Sequence, residues 1–597
     1  MTALIHTRYL GWGTRGLSAL GVIAVGLGLL SNALMLNAVV MLPVALLALA
    51  IRRKWVVLWV APPLFGLMQI CCYFDTVLYD IFRFHFNGLV LNVLLTPGAA
   101  DSITLGRSTS LGLITAAVLL VTLEFLFVFL LLPRIFSTRL REKLGRRATW
   151  LAAGGLICGL VVADKTLYAV GDLQGIPEVT RIHRMFPLYQ PLILSGFASH
   201  GPGVSAGPAE GGRLDYPRQA LQLPPAGATP NIVIAVVEGG RFDMFHPAIM
   251  PHLDRWSLSH HRFETHHSAG NSSRFGIFGL FYGIYGSYWH AFRAEQQPPV
   301  LIDLLKGRGY EFFIASCTDL NFPEFKQTVF KEVASDIHDS FPEDLERVDR
   351  DRCMTDRFLD FLKTREPQRP FLAFLFYDAS HQPYRYTDEH KIFPTDLDPD
   401  QINYLDMSDP EAVAGLFNRF RNSLHYVDSQ LNRWLSSLES KGLLDRTLVF
   451  ITGDHGEEFR EVGYLGHNAA FHRYQSQVFM IANLPGQAPR IIRYPTSHLD
   501  MLPTIFAYLG IENPASDYTQ GTHLLKENRP PFTFISGWDE AAIVDDDSIT
   551  VFGTEMYTTD LQVLDHEYNP LPDQDQARQD RRDNLLLALK GMRQFLK

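Results

Sequence analysis

Apolar positions fall into two unlike patterns along this chain. Over residues 1–170 they form long runs, and from 231 onward they come as short runs between turn residues. Runs of spanning length at roughly 15–33, 35–51, 55–74, 111–133 and 148–170 predict five membrane helices, the second of them short. A further span follows the first at once with no clear cleavage site, so the first run is not read as a cleavable signal. The apolar stretch 79–98 is interrupted by Asp80, Arg83, His85 and Asn87. It reads as a helix lying in the outer membrane interface, or as a re-entrant or packed helix between spans. The short runs 231–237, 311–316, 371–376 and 447–452 read as buried strands and alternate with helical patterns at 301–308 and 411–440. The expected fold of that half is α/β with a largely parallel central sheet, preceded by an all-α transmembrane domain.

Charge sets the orientation. Arg8 and Arg15 precede the first run, and Arg52, Arg53 and Lys54 separate the second from the third. Arg134, Arg139, Arg141, Lys143, Arg146 and Arg147 separate the fourth from the fifth. With five spans all three groups face one side, expected to be the cytoplasm. The C-terminal half is then extracytoplasmic, periplasmic in a Gram-negative cell. Glu124 and the pair Asp164–Lys165 lie in or near spans, where a charge is costly and often functional; the latter pair also fits snorkelling at the outer interface. Residues 171–200 are expected along the membrane surface and the Gly/Pro/Ala-rich stretch 201–230 as a linker, which leaves 231–597 as the soluble domain. The net charge of −10 and the lack of a basic patch in that domain exclude nucleic acid as a main partner. Cys71, Cys72 and Cys158 fall in apolar segments, and Cys317 and Cys353 are the two able to pair outside the cytosol.

Four segments carry the chemistry. GDHGEEF at 453–459 follows the run TLVFIT and delivers Asp454 and His455 to a strand end, an arrangement suited to a divalent metal or to a helix-capping turn. NIVIAVVEGG delivers Glu238 in the same way. In HHSAGNSSRFGIFGLFYG at 266–283, Ser272 or Ser273 starts a helix whose free N–H groups favour a phosphate or an alkoxide, and Asn271 or Ser272 equally suits a plain N-cap. FLAFLFYDASHQPY at 371–384 sets His381 in a loop after another strand.

With LGHN and SHLDMLPTI, these segments stand in the order of the alkaline-phosphatase/sulfatase superfamily, which the chain resembles over nearly its whole length. The nearest branch resembles membrane-anchored lipoteichoic acid synthases and lipid A phosphoethanolamine transferases. The resemblance implies Glu238, Ser272, Asp454 and His455 as metal ligands, with Ser272 as nucleophile. It implies His381 and His467 as holders of the transferred phosphoryl group. Three oxygens and a nitrogen suit Zn²⁺ or Mn²⁺ and favour Mg²⁺ less. The implied partners are phospholipid or lipid A head groups and inner-membrane regulatory proteins, and the implied role is in envelope lipid or lipopolysaccharide homeostasis. That role fits a phosphotransferase or phosphohydrolase, or a non-catalytic lipid-sensing regulator with a residual metal site. No C/S-x-P-x-R sequence stands near 272, so a sulfate ester is not expected as substrate. The single carboxylate of EGG speaks for one metal, and the stretch 191–201 lacks the Arg expected for binding lipid phosphate.

Overall fold

The computed structural model describes the chain except residues 14–16, 53, 100–105, 136–146, 175, 195–212, 223–228, 343, 408 and 555–560. It divides into two compact units, one of residues 1–88, 106–204 and 403–405, the other of 89–105, 205–402 and 406–597.

The first unit is helical. Its long helices are α1 (Ala19–Ile51) and α2 (Lys54–Phe82); after α3 (Gly88–Leu95) come α4 (Arg107–Leu126, continued by a π segment) and α5 (Arg147–Leu173). Four helices among the described residues are long and apolar enough to cross a membrane. The expectation of five differs because 15–33 and 35–51 fall largely on the single helix α1, 33 residues long. Two polar side chains within α1 are hydrogen-bonded inside the bundle. Asn32 donates to Pro187 O at 3.0 Å, Asn37 donates to Ala33 O at 2.7 Å, and Ser31 is buried. One helix cannot double back, so its two ends lie on opposite sides. Ser18 bonds Glu178 just past α5, and Tyr9 OH donates to Asp75 on the C-terminal part of α2 at 2.7 Å. Arg8 therefore lies at the end opposite Arg52, contrary to the expected common side. Most of the basic stretch 134–147 lies outside the described residues.

The acids singled out in this unit have polar partners. Glu124 accepts from Gln69 Nε2. Asp164 accepts from Tyr189 OH at 2.8 Å and sits 2.9 Å from Lys165 Nζ, so this pair does not snorkel as free charges. The stretch expected as an interfacial helix over 79–98 is divided: 79–82 finish α2, and α3 starts at Gly88 and from Leu89 onward belongs with the second unit.

The second unit is built on a nine-stranded mixed sheet. Its strands are β1 (Asn231–Val237), β2 (His261–His267), β3 (Glu311–Ser316), β4 (Ile337–His338), β5 (Phe371–Tyr377) and β6 (Thr447–Gly453). After the hairpin β7 (Glu458–Phe459) and β8 (Leu465–Gly466) come β9 (Gln477–Asn483), β10 (Ile491–Ile492) and β11 (Thr496–Ser497). The order is β10-β2-β9-β6-β1-β5-β3-β4, with β11 beside β2. Strands β6, β1, β5 and β3 run parallel, and every residue of β1, β5 and β6 is buried, as unbroken apolar runs require when both sheet faces are covered. Helix α6 (Ser273–Tyr282) packs closely through its glycines: a Cβ on Gly276 would lie 2.1 Å from Asp454 O, and one on Gly279 would lie 2.2 Å from Ala269 Cβ. A four-stranded antiparallel sheet follows, β12 (Thr533–Ser536), β13 (Glu540–Val544), β14 (Ile549–Gly553) and β15 (Gln562–Leu564).

Part of the expected linker belongs to this unit. Lys597 N donates to Arg213 O at 2.8 Å, and buried Tyr216 donates to Tyr282 O at 3.0 Å. The remainder, 201–212 and 223–228, lies outside the described residues. Cys317 and Cys353 are both free, the former buried.

Candidate metal centre

The candidate centre forms where β1 and β6 end side by side. Glu238 follows β1 and Asp454 follows β6. The chain leaves β1 through Gly239, at φ +63°, and Gly240 packs on Gly453 so closely that a Cβ on Gly240 would sit 2.6 Å from Gly453 Cα. The EGG and GDHG sequences thus answer one need, two strand ends in backbone contact. Asp454 Oδ1 accepts from Gly239 N at 3.0 Å and from His455 N at 2.9 Å.

Ligand atoms of Glu238, His455 and His467 lie within 4.8 Å of one another. His455 Nε2 is 3.2 Å from Glu238 Oε1 and 3.3 Å from Asp454 Oδ2. Asp454 Oδ2 is buried and makes no hydrogen bond. An orphaned carboxylate oxygen facing an imidazole and a second carboxylate is a donor set suited to a divalent cation. Burial opposes charge on both acids. At Glu238 the neighbouring His455 overrides it and holds the carboxyl well below the usual range; at Asp454 the Glu238 charge adds to burial and pushes the carboxyl well above it. Burial works against protonation of His455, but Asp454 and Glu238 prevail and lift it to about 10. Excess negative charge at this point is what a bound cation offsets.

The hydroxyl that reaches this group is that of Ser273. Its Oγ lies 3.2 Å from Glu238 Oε2 and 3.3 Å from His455 Nε2. Ser272 is the N-cap residue of α6, in extended conformation, and its side chain makes no cap hydrogen bond. The expectation placed Ser272 among the ligands, whereas the structure brings its neighbour there. The loop before them is pinned by Asn271 N donating to Ser536 O at 3.0 Å and by Asn468 N donating to Asn271 O at 3.0 Å. The antiparallel sheet and the His467 loop thereby fix where α6 begins.

His467 joins the ligand group. Its Nδ1 is 2.7 Å from Glu457 Oε2, which leaves Nε2 as the nitrogen free to ligate. Glu457 is buried and also accepts from Tyr384 OH at 2.6 Å. Sequence reasoning missed this carboxylate; its signal was the acid two residues after the ligand histidine in GDHGEEF. His381 lies beside the group, its ring 6.3 Å from that of His467, with Nδ1 bonded to Gln382 O at 3.0 Å. Burial, reinforced by the Arg347 charge, lowers it to about 4, so it is neutral at pH 7 with Nε2 an acceptor. Its loop is held by Arg347, 3.0 Å from Asp378, and by Arg419, which donates to Pro383 O and Tyr384 O at 3.0 Å.

Residues 230–511 match the Sulfatase family, and residues 1–202 match a domain of unknown function, DUF3413. The inner membrane protein YejM of Salmonella typhimurium is 25% identical over 463 residues, 75% of this chain and 70% of that protein. An uncharacterized protein of Haemophilus influenzae is 25% identical over 468 residues, 76% of this chain and 70% of its own length. Among solved structures, a phosphonate monoester hydrolase of Agrobacterium radiobacter covers 60% of this chain and 95% of its own, at 15% identity and a TM-score of 0.49. Residues 230–511 thus form a sulfatase-type domain, and over three quarters of its length the chain is similar to the inner membrane protein YejM.

Proposed function

We propose that this protein is a metal-dependent phosphotransferase or phosphohydrolase that uses Ser273 on lipid or glycan head groups at the periplasmic face of the inner membrane. The observation that carries the reading is the Ser273 hydroxyl at 3.2 Å from Glu238 and 3.3 Å from His455, beside the orphaned Asp454 oxygen. Glu238, Asp454, His455 and His467 fit one divalent ion, with Zn²⁺ or Mn²⁺ preferred for their nitrogen ligands. Such an ion supplies Lewis-acid polarisation and makes a serine alkoxide accessible near neutral pH.

The Ser273 hydroxyl gives its proton to Nε2 of His381 as Oγ attacks phosphorus, and that proton passes to the departing head-group oxygen as its bond to phosphorus breaks, leaving the phosphoryl group esterified to Ser273. Water or an acceptor alcohol then attacks that ester, its proton passes to Nε2 of His381 and on to the departing serine oxygen, which restores the Ser273 hydroxyl. The start of α6 adds free N–H groups that favour the transferred anion. The absence of a C/S-x-P-x-R sequence speaks for a phosphoryl rather than a sulfuryl substrate. YejM is an inner membrane protein in Salmonella typhimurium, and the four apolar helices here supply the anchor. The turn between α1 and α2 bears Arg52–Lys54, which favours a cytoplasmic turn and a periplasmic C-terminal domain.

The test uses purified full-length protein loaded with Mn²⁺ or Zn²⁺ and bis-p-nitrophenyl phosphate. Hydrolysis, with a phosphoryl group found by mass spectrometry on Ser273, is expected. Replacing Asp454 and His455 together by Ala should remove both the metal and the activity. Stoichiometric metal without hydrolysis, or full rescue of a deletion strain by Ser273→Ala, would instead favour a regulatory, lipid-sensing role.

A further inference from the structure

Arg274 carries its charge where a helix tolerates it least. It follows Ser273 in the first turn of α6, at the positive end of the helix dipole. Its guanidinium is buried, 4% exposed, and lies 4.9 Å from the ring centre of Trp538 and 5.4 Å from that of Trp289. Its Nη2 donates to Oε2 of buried Glu324 at 2.8 Å. The third partner comes from α3, between the first unit's apolar helices in sequence. Asn92 Oδ1 accepts from the same Nη2 at 2.7 Å, and Asn92 Nδ2 donates to Glu324 Oε1 at 2.9 Å.

The three side chains form a closed ring. A guanidinium only donates and a carboxylate only accepts, so the third member must do both, which also fixes the amide's orientation. Aspartate has Asn92's shape but would face Glu324 with a second acceptor. Leucine would leave both partners short of one bond in a buried site, where an unmade bond costs most. Chain order alone would assign Asn92 to the membrane half, yet Leu89–Leu105 belongs to the compact unit of Ser273.

We infer that Asn92 is a positioning residue for Ser273. It ties down the adjacent Arg274, so that a helix from the membrane half of the sequence completes the nucleophile's setting. The catalytic side of this inference rests on Ser273 being the nucleophile.

The experiment compares full-length wild type, Asn92→Asp, Asn92→Leu and the control Leu91→Ala, whose side chain on α3 is exposed. Amide exchange of the 272–282 peptide reads the placement of α6 without reference to activity. Hydrolysis of bis-p-nitrophenyl phosphate and Mn²⁺ titration read the site. Both Asn92 variants should speed exchange in the first turn of α6 by roughly tenfold, as loss of a bond to a charged group implies. Their kcat should fall by roughly tenfold, with KM and Mn²⁺ affinity near wild type, a lowered melting temperature, and Leu91→Ala unchanged throughout. Wild-type exchange in Asn92→Asp overturns the inference, and so does faster exchange with unchanged kcat. A wild type that hydrolyses nothing overturns the nucleophile reading instead, and the exchange result still decides whether Asn92 holds α6.

Discussion

Oγ of Ser273 lies 3.2 Å from Oε2 of Glu238, a bond between the first turn of a helix and the end of a strand. Ser272, one residue earlier, makes no cap hydrogen bond. The two serines should therefore separate cleanly. Ser273→Ala should abolish phosphodiester hydrolysis and the phosphoryl-enzyme while leaving melting almost unchanged. Ser272→Ala should retain most activity and cost about 1 kcal/mol or less, since its side chain is not serving as a cap. The reverse ranking in kcat would return the nucleophile to Ser272.

Glu457 orients a ligand without touching the site's centre. Its Oε2 lies 2.7 Å from His467 Nδ1 and its Oε1 accepts from Tyr384 OH at 2.6 Å, so the imidazole is held with Nε2 free. Such carboxylate–histidine pairs typically account for roughly 10–100-fold in metal affinity. Glu457→Gln should weaken Zn²⁺ or Mn²⁺ binding by a factor in that range, measured by calorimetry on the full-length protein. Unchanged affinity would mean that His467 does not ligate.

The strands of the central sheet were legible because β1, β5 and β6 are buried on both faces and so must be continuous apolar runs. Their ends made Glu238, Asp454 and His455 legible too. What escaped depended on three-dimensional satisfaction of polar groups. A sequence cannot show Asn32 bonded to Pro187, so nothing in it marked 15–51 as largely one helix. The choice between two adjacent serines depends on where α6 starts, which Ser536 and Asn468 set from far along the chain. Glu457 was missed because a sequence cannot show His467 against it, and 213–222 read as linker because it cannot show Tyr216 buried and bonded to Tyr282.

Gly276 offers a test of how tightly α6 is seated on the site. A Cβ there would lie 2.1 Å from the Asp454 carbonyl oxygen and 3.0 Å from Ser268 Oγ. The first of these is backbone and cannot swing aside. Gly276→Ala should cost at least the ~1–3 kcal/mol of an overpacked core and displace Asp454, so melting temperature and metal affinity should fall together. Gly307→Ala, where a Cβ meets nothing within 4 Å, is the control and should leave both unchanged. A stable Gly276→Ala protein with normal metal binding would mean that α6 is not seated on Asp454 as described.

Acid should unfold this domain in part through His267. The residue is buried on β2, its Nδ1 has no hydrogen-bond partner, and burial, helped by His566 and Arg473, lowers it to about 4. Its folded value thus lies below the ordinary 6.5, and between the two the unfolded chain binds the extra proton. The contribution of neutral His267 is intact above pH 6.5 and is lost as pH falls toward 4. Other buried groups pull the opposite way, notably Asp351, which burial pushes up to about 7, so the whole-protein curve does not isolate the effect. A difference between proteins does. From pH 7 to pH 5, wild type should lose about 2 kcal/mol more stability than His267→Gln, as the size of the shift implies. Denaturant melts of the two proteins at each pH measure that difference, and parallel loss in both would show that His267 takes up its proton as readily folded as unfolded.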